Sequence, residues 1–173
     1  MFKIEKKVAT ITNLNVRIEK HGEERNLAID IHFAVSTGNN VLDHFDKDLR
    51  KSLFRKAGKG EQQSLPTIGE TLTEIKHPGL EPIKLSHEFK GYELQLDGEL
   101  DSTQPIFLTD VKVKKFGVAA KEGGTVDLTF KASANVTPDE VAELTEALIR
   151  QSVVLTLQQG QANETTQQDD LAA

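Results

Sequence analysis

The sequence predicts an α+β fold: a mainly antiparallel sheet of seven to nine strands with two amphipathic helices, in a single domain over residues 1–157. Three observations carry that expectation. Apolar and polar residues alternate along much of the chain, the period of a strand with one buried face. Two segments, after Asn40 and after Thr137, change to the three-and-four spacing of a helix. At 173 residues, 37% hydrophobic and 28% charged, the chain has the size and balance of one soluble domain.

Leu14, Val16 and Ile18 alternate up to a break at His21-Gly22-Glu23-Glu24, and Leu27, Ile29, Ile31, Phe33 and Val35 resume the pattern. This predicts an antiparallel hairpin with one buried face. A polar break ends at Asn40, a helix-capping residue. Val41, Phe45, Leu49 and Leu53 then form one helical stripe that ends near Ala57-Gly58. Residues 59–80 read as an exposed connection with a short element around Ile68–Ile75. Strands follow over Ile83–Phe89, Tyr92–Leu100 and Ile106–Phe116. Glu122-Gly123-Gly124 marks a turn, since glycine supplies the positive φ such turns require. Val126, Leu128, Phe130, Ala132 and Ala134 form the next strand, with Phe130 turned inward as Phe33 is in the first hairpin. Thr137-Pro138-Asp139-Glu140 starts a helix, with a capping threonine, proline at the first position and acids at the positive dipole end. That helix carries Val141, Leu144, Leu148 and Ile149 inward, and Val153–Leu157 reads as the last strand. Residues 158–173 have almost nothing to bury and read as a disordered acidic tail.

A shift of 97 residues lays Ile29–Phe33 over Val126–Phe130, Leu14 and Val16 over Val111 and Val113, and Asn40 over Thr137. Two readings stay open: an internal ββα duplication with pseudo-repeats 8–58 and 105–151, or two hairpins of a common kind.

Several chemistries are excluded. The absence of cysteine removes disulfides, thiolate zinc sites and cysteine nucleophiles. His21, His32, His44, His77 and His87 show no metal-ligand spacing, and no phosphate-binding glycine loop or serine-nucleophile motif occurs. Asp97, Glu99 and Asp101 alternate along one strand face, but an amphipathic strand carries polar groups there in any case. No catalytic residue, metal or cofactor is expected. Met1–Lys7 lacks the apolar run of a signal peptide and no segment is long enough to span a membrane, so a cytoplasmic, membrane-independent protein is expected.

The charge map is more specific. The chain is acidic, with a net charge of −6, yet Lys47, Arg50, Lys51, Arg55, Lys56 and Lys59 crowd one stretch that holds the single acid Asp48. Lys47, Lys51 and Arg55 recur at i, i+4 and i+8 and would form a ridge beside the apolar stripe. Such a ridge concentrates positive potential where a phosphate backbone can lie. Phe54 within it, or Tyr92, would offer a ring for base stacking. Lys112, Lys114, Lys115, Lys121 and Lys131 form a second basic surface. The tail ends in Asp169-Asp170-Leu171, in plan like the acidic tips by which single-strand-binding proteins recruit partners.

Val111–Phe116, Lys121–Val126 and Val154–Leu157, with Ile75–Ile83 and Gly91-Tyr92, resemble small uncharacterised proteins of tailed phages and prophages, found among replication and recombination genes. The resemblance covers mainly the C-terminal half and implies a replication setting without assigning site residues. The expectation is therefore a non-enzymatic phage-type accessory protein that binds single-stranded nucleic acid through Lys47, Arg50, Lys51, Phe54, Arg55, Lys56 and Lys59. Asp169, Asp170 and Leu171 would contact host or phage replication proteins. Two alternatives use other surfaces. One is a protein-interaction module or host-factor inhibitor acting through Asp139, Glu140, Glu143 and Glu146. The other is a clamp-like homo-oligomeric ring.

Overall fold

In the computed structural model, which describes residues 1–58, 71–98 and 104–161, the alternating segments become nine strands. They are β1 (Ile4–His21), β2 (Glu24–Gly38), β3 (Phe54–Lys56), β4 (Leu72–Ile75), β5 (Ile83–Leu85), β6 (Phe89–Asp97), β7 (Ile106–Lys121), β8 (Thr125–Asn135) and β9 (Ser152–Gln159). A 3₁₀ helix (Asn39–His44), α1 (Leu49–Leu53) and α2 (Pro138–Arg150) complete the described elements. Every ladder is antiparallel. Seven strands run in the order β5-β7-β6-β9-β1-β2-β8, and β8 pairs back onto β7, so six of them close into a barrel with β5 on the flank of β7. β3 and β4 form a separate ribbon. The α+β expectation holds in outline, with strand far outweighing helix.

Closure depends on bends in the long strands. Lys6, Asp110 and Lys115 have positive φ, and each lies at or beside a shift of ladder register. An extra residue at such a bulge kinks the strand and increases its twist, which lets a sheet curve back on itself. Gly91, with φ +69, does the same in β6.

The interior is filled mainly by phenylalanine. Phe2 is fully buried, and its ring lies 5.2–5.4 Å from those of Phe45, Phe89 and Phe116. Phe33 and Phe130 face inward as expected, paired across the β2–β8 ladder with centroids 5.4 Å apart. Under the 97-residue shift these two residues correspond, and their direct pairing is what a local two-fold axis between β2 and β8 requires. The shift fails for the strands before them. Ile31 pairs with Leu14, but its counterpart Leu128 pairs with Val118 and not with Val111.

Helix α2 begins as expected. Thr137 Oγ1 accepts from the Glu140 N–H at 3.2 Å, and Glu140 Oε2 accepts from the Thr137 N–H at 2.7 Å, a complete capping box. Leu144 and Ala147 are buried, whereas Ile149 is 78% exposed, contrary to expectation. The helix packs on β1, β7 and β9, and Ile149 falls on its outer side.

Two further expectations are corrected. The single helix over 40–57 is a 3₁₀ turn, a five-residue helix and strand β3. The Asp46 side chain accepts from the Asp48 N–H at 2.7 Å, a local bond that competes with helical pairing, and Phe54 is drawn into a ladder opposite Ile75. The tail does not begin at Gln158. β9 runs through Gln159 beside β6, and the Gly160 N–H bonds to the Gly91 carbonyl at 2.9 Å.

Truncating Phe33 or Phe130 to alanine should each cost about 3–5 kcal/mol in urea unfolding, as for other large-to-small core changes. Because the rings touch, the double variant should lose less than the sum of the two. Full additivity would mean that the pair is not packed together.

Candidate nucleic-acid interface

The stretch from the 3₁₀ helix to β4 sorts its residues by polarity. Val41, Leu42, Phe45, Leu53 and Phe54 enter the core, which leaves the cations between them on the surface at one end of the barrel. Lys47, Lys51, Arg55 and Lys56 are exposed. Lys47 and Lys51 have no ion-pair partner among the described residues. Arg55 Nη2 lies 2.8 Å from Glu74 across the β3–β4 ribbon, and Arg50 Nη2 lies 3.2 Å from Asp43. Arg50 is held further inward than the others, since its Nε is buried without a hydrogen-bond partner. Lys59 lies outside the described residues, as do Asp169, Asp170 and Leu171.

The structure removes the proposed ridge. Lys47 precedes α1 and Arg55 belongs to β3, so Lys47, Lys51 and Arg55 do not share one helix face. It also removes both stacking groups. Phe54 is 1% exposed, and Tyr92 is 3% exposed with its hydroxyl donating to the Phe2 carbonyl at 3.0 Å. Burial holds the Tyr92 phenol above its usual pKa. Sequence reasoning missed one cation, Lys76, whose Nζ donates to the Lys51 carbonyl. Only the pairing of β3 with β4 brings it there, and no spacing in the sequence announces that ladder. Around the six described cations lie Asp43, Asp46, Asp48 and Glu74, so the surface is positive but not strongly so.

The second basic surface is largely neutralised. Lys112 lies 2.8 Å from Glu88, Lys121 3.5 Å from Asp127, and Lys131 3.1 Å from Asp30. Its hydrogen bond to Lys112 holds the Glu88 carboxyl below its usual range. Asp30 is buried, which by itself opposes ionisation. Ser133 Oγ at 2.6 Å, Lys131 Nζ and Arg17 Nη2 at 3.4 Å outweigh that and set its pKa at about 2. Arg17 also pairs with Glu19.

On α2, Asp139, Glu143 and Glu146 are exposed, but Glu140 is committed to the capping box. No cluster of metal-ligating side chains occurs among the described residues, and no helix there is long and apolar enough to cross a membrane. Comparison with family models, with curated proteins and with solved structures returns no match.

The Asp30 network makes acid stability specific. The folded pKa is about 2 against 3.8 for the free group. Its contribution, about 2 kcal/mol, is therefore fully present above about pH 4 and is lost as pH falls through about 2. Asp30→Asn should lower stability at neutral pH, and the gap to the native protein should close between pH 4 and 2. A gap that stays constant over that interval would show that the carboxylate charge is not what the network stabilises.

Proposed function

We propose that the chain is a non-enzymatic accessory protein that holds single-stranded nucleic acid by its phosphates, through Lys47, Lys51, Arg55, Lys56 and Lys76. The observation that carries this reading is the segregation over residues 41–56. The apolar side chains of that segment go into the barrel, and its cations are left together at one barrel end, on a protein that is acidic elsewhere. Arg55 is paired with Glu74, but an exposed ion pair is worth only about 0–1 kcal/mol, so a phosphate can replace the carboxylate. With Phe54 and Tyr92 in the core, neither of the two rings expected to stack on bases is available at this surface. The binding proposed is accordingly independent of sequence and dominated by counterion release.

A second reading, a protein-interaction module, is favoured by the exposed acids Asp139, Glu143 and Glu146 on α2. Such a surface would repel a nucleic-acid chain and attract a basic partner.

Fluorescence anisotropy with a labelled oligonucleotide tests the first reading. At about 50 mM salt the dissociation constant should fall at roughly 10⁻⁴–10⁻⁶ M, with a salt slope of roughly −2 to −3 for three or four phosphates on a single strand. Oligo-dT and oligo-dA should bind alike. The combined variant Lys47→Glu, Lys51→Glu, Lys56→Glu, which spares the part-buried Arg50, should lose binding at least tenfold and keep its melting temperature. Absence of binding at 50 mM salt, or a variant that binds as well as the native protein, would remove the proposal.

A further inference from the structure

β1 outruns its neighbour. Its ladder with β9 ends at Thr10–Ser152, and the Ile11 N–H bonds to the Gln151 carbonyl just beyond α2. From Thr12 to His21 only β2 lies beside it among the described residues. The two-residue turn Gly22-Glu23 makes His21 and Glu24 the closing hydrogen-bonded pair of the hairpin. Alternation then aims the N–H and C=O groups of Leu14, Val16, Ile18 and Lys20 away from β2, at an open edge.

The side chains at this edge are unusual for a surface. Leu14, Val16 and Ile18 pair with Ile31, Ile29 and Leu27, so they continue the barrel's apolar face outward along the hairpin. α2 begins beside Leu27 and ends beside Ile11. Along this stretch of the hairpin Ile29 and Ile31 of β2 are fully buried, but Val16 of β1 is left 44% and Ile18 62% exposed. The opposite face of the same strand carries Arg17 and Glu19.

We infer that this edge pairs antiparallel with the same edge of a second copy, with Ile18 on the two-fold axis. A two-fold axis normal to a sheet sets each residue opposite one on the same face, so it passes through a residue position and not between two. Centring on Arg17 or Glu19 sets like charges opposite one another. Centring on Val16 drives the partner's hairpin tip against Ile11, where the end of α2 already occupies the edge. Centring on Ile18 clears α2 and sets Arg17 opposite the partner's Glu19 twice. It also sets Val16 against the aliphatic stem of the partner's Lys20. Ile18 then exchanges two backbone hydrogen bonds with Ile18 of the second copy, and Val16 exchanges two with Lys20 of the second copy, which satisfies the outward groups of Val16, Ile18 and Lys20 on both edges. A continuous sheet would join the two barrels.

The absence of cysteine from the chain gives a direct test. A hydrogen-bonded antiparallel pair has Cα atoms about 5.5 Å apart, within the range a disulfide spans. Ile18→Cys should therefore oxidise to a disulfide-linked dimer in high yield. Val8→Cys, equally exposed on the barrel wall at 60%, should not. Sedimentation equilibrium of the native chain from about 5 to about 500 µM, the span of weak interfaces, should show a monomer–dimer equilibrium. Ile18→Lys, which sets two ammonium groups on the axis, should shift it to monomer with the melting temperature unchanged and oligonucleotide binding to a single site retained. A native chain that is monomeric throughout, or cross-linking at Val8→Cys as efficient as at Ile18→Cys, would overturn the inference and leave the phosphate reading untouched.

Discussion

A six-stranded barrel has room inside for side chains and for nothing else, and this one is filled by aromatic rings that converge on Phe2. Phe2 precedes β1, Phe45 directly follows the 3₁₀ helix, Phe89 comes from β6 and Phe116 from β7. These positions are far apart in sequence, so the cluster forms only when the β7–β8 ladder closes the ring. The Tyr92 hydroxyl fixes the Phe2 carbonyl from the side. Ring stacking, the bulges at Lys6, Asp110 and Lys115, and the closure of the sheet are one constraint seen at three scales.

That constraint shapes what the surface can do. Seven of the chain's eight phenylalanines are wholly or largely buried, and only Phe107, on β7, is exposed. A protein that commits its rings to its interior has charge and backbone left for recognition. The cations divide into two kinds. Lys112, Lys121 and Lys131 lie against carboxylates on adjacent strands and serve the sheet. Lys47, in the turn before α1, and Lys51, on α1, have no ion-pair partner among the described residues. Clustering of cations over residues 47–56, together with pairing of the sheet lysines, leaves one barrel end positive.

The β1–β2 hairpin shows the same economy in a different form. Its turn lies well past the last residue of β1 that β9 reaches, so one edge of the ladder has no strand beside it among the described residues. Charges on Arg17 and Glu19 oppose random sheet-to-sheet pairing, yet their opposite signs suit one antiparallel register. In the inferred pairing of two copies, specificity and protection from aggregation would come from the same two residues.

Local patterns were legible in the sequence because they depend on neighbouring residues alone. Period-two alternation located β2, β8 and the inward faces of Phe33 and Phe130, and Thr137-Pro138-Asp139-Glu140 located α2 with its cap. The apolar stripe Val41, Phe45, Leu49, Leu53 was correctly inward even though its helix was not continuous. Everything that turned on a distant partner was hidden. Phe54 left the surface because Ile75, in a strand 21 residues on, pairs with it. Ile149 stayed outside because the helix turned Leu144 and Ala147 to the barrel. Lys131 was lost to a carboxylate on β2, and Lys76 was gained from the residue that follows β4. Burial and charge pairing are properties of the assembled sheet, set by which strands become neighbours on closure, and alternation along a strand says which side chains share a face without saying what that face meets.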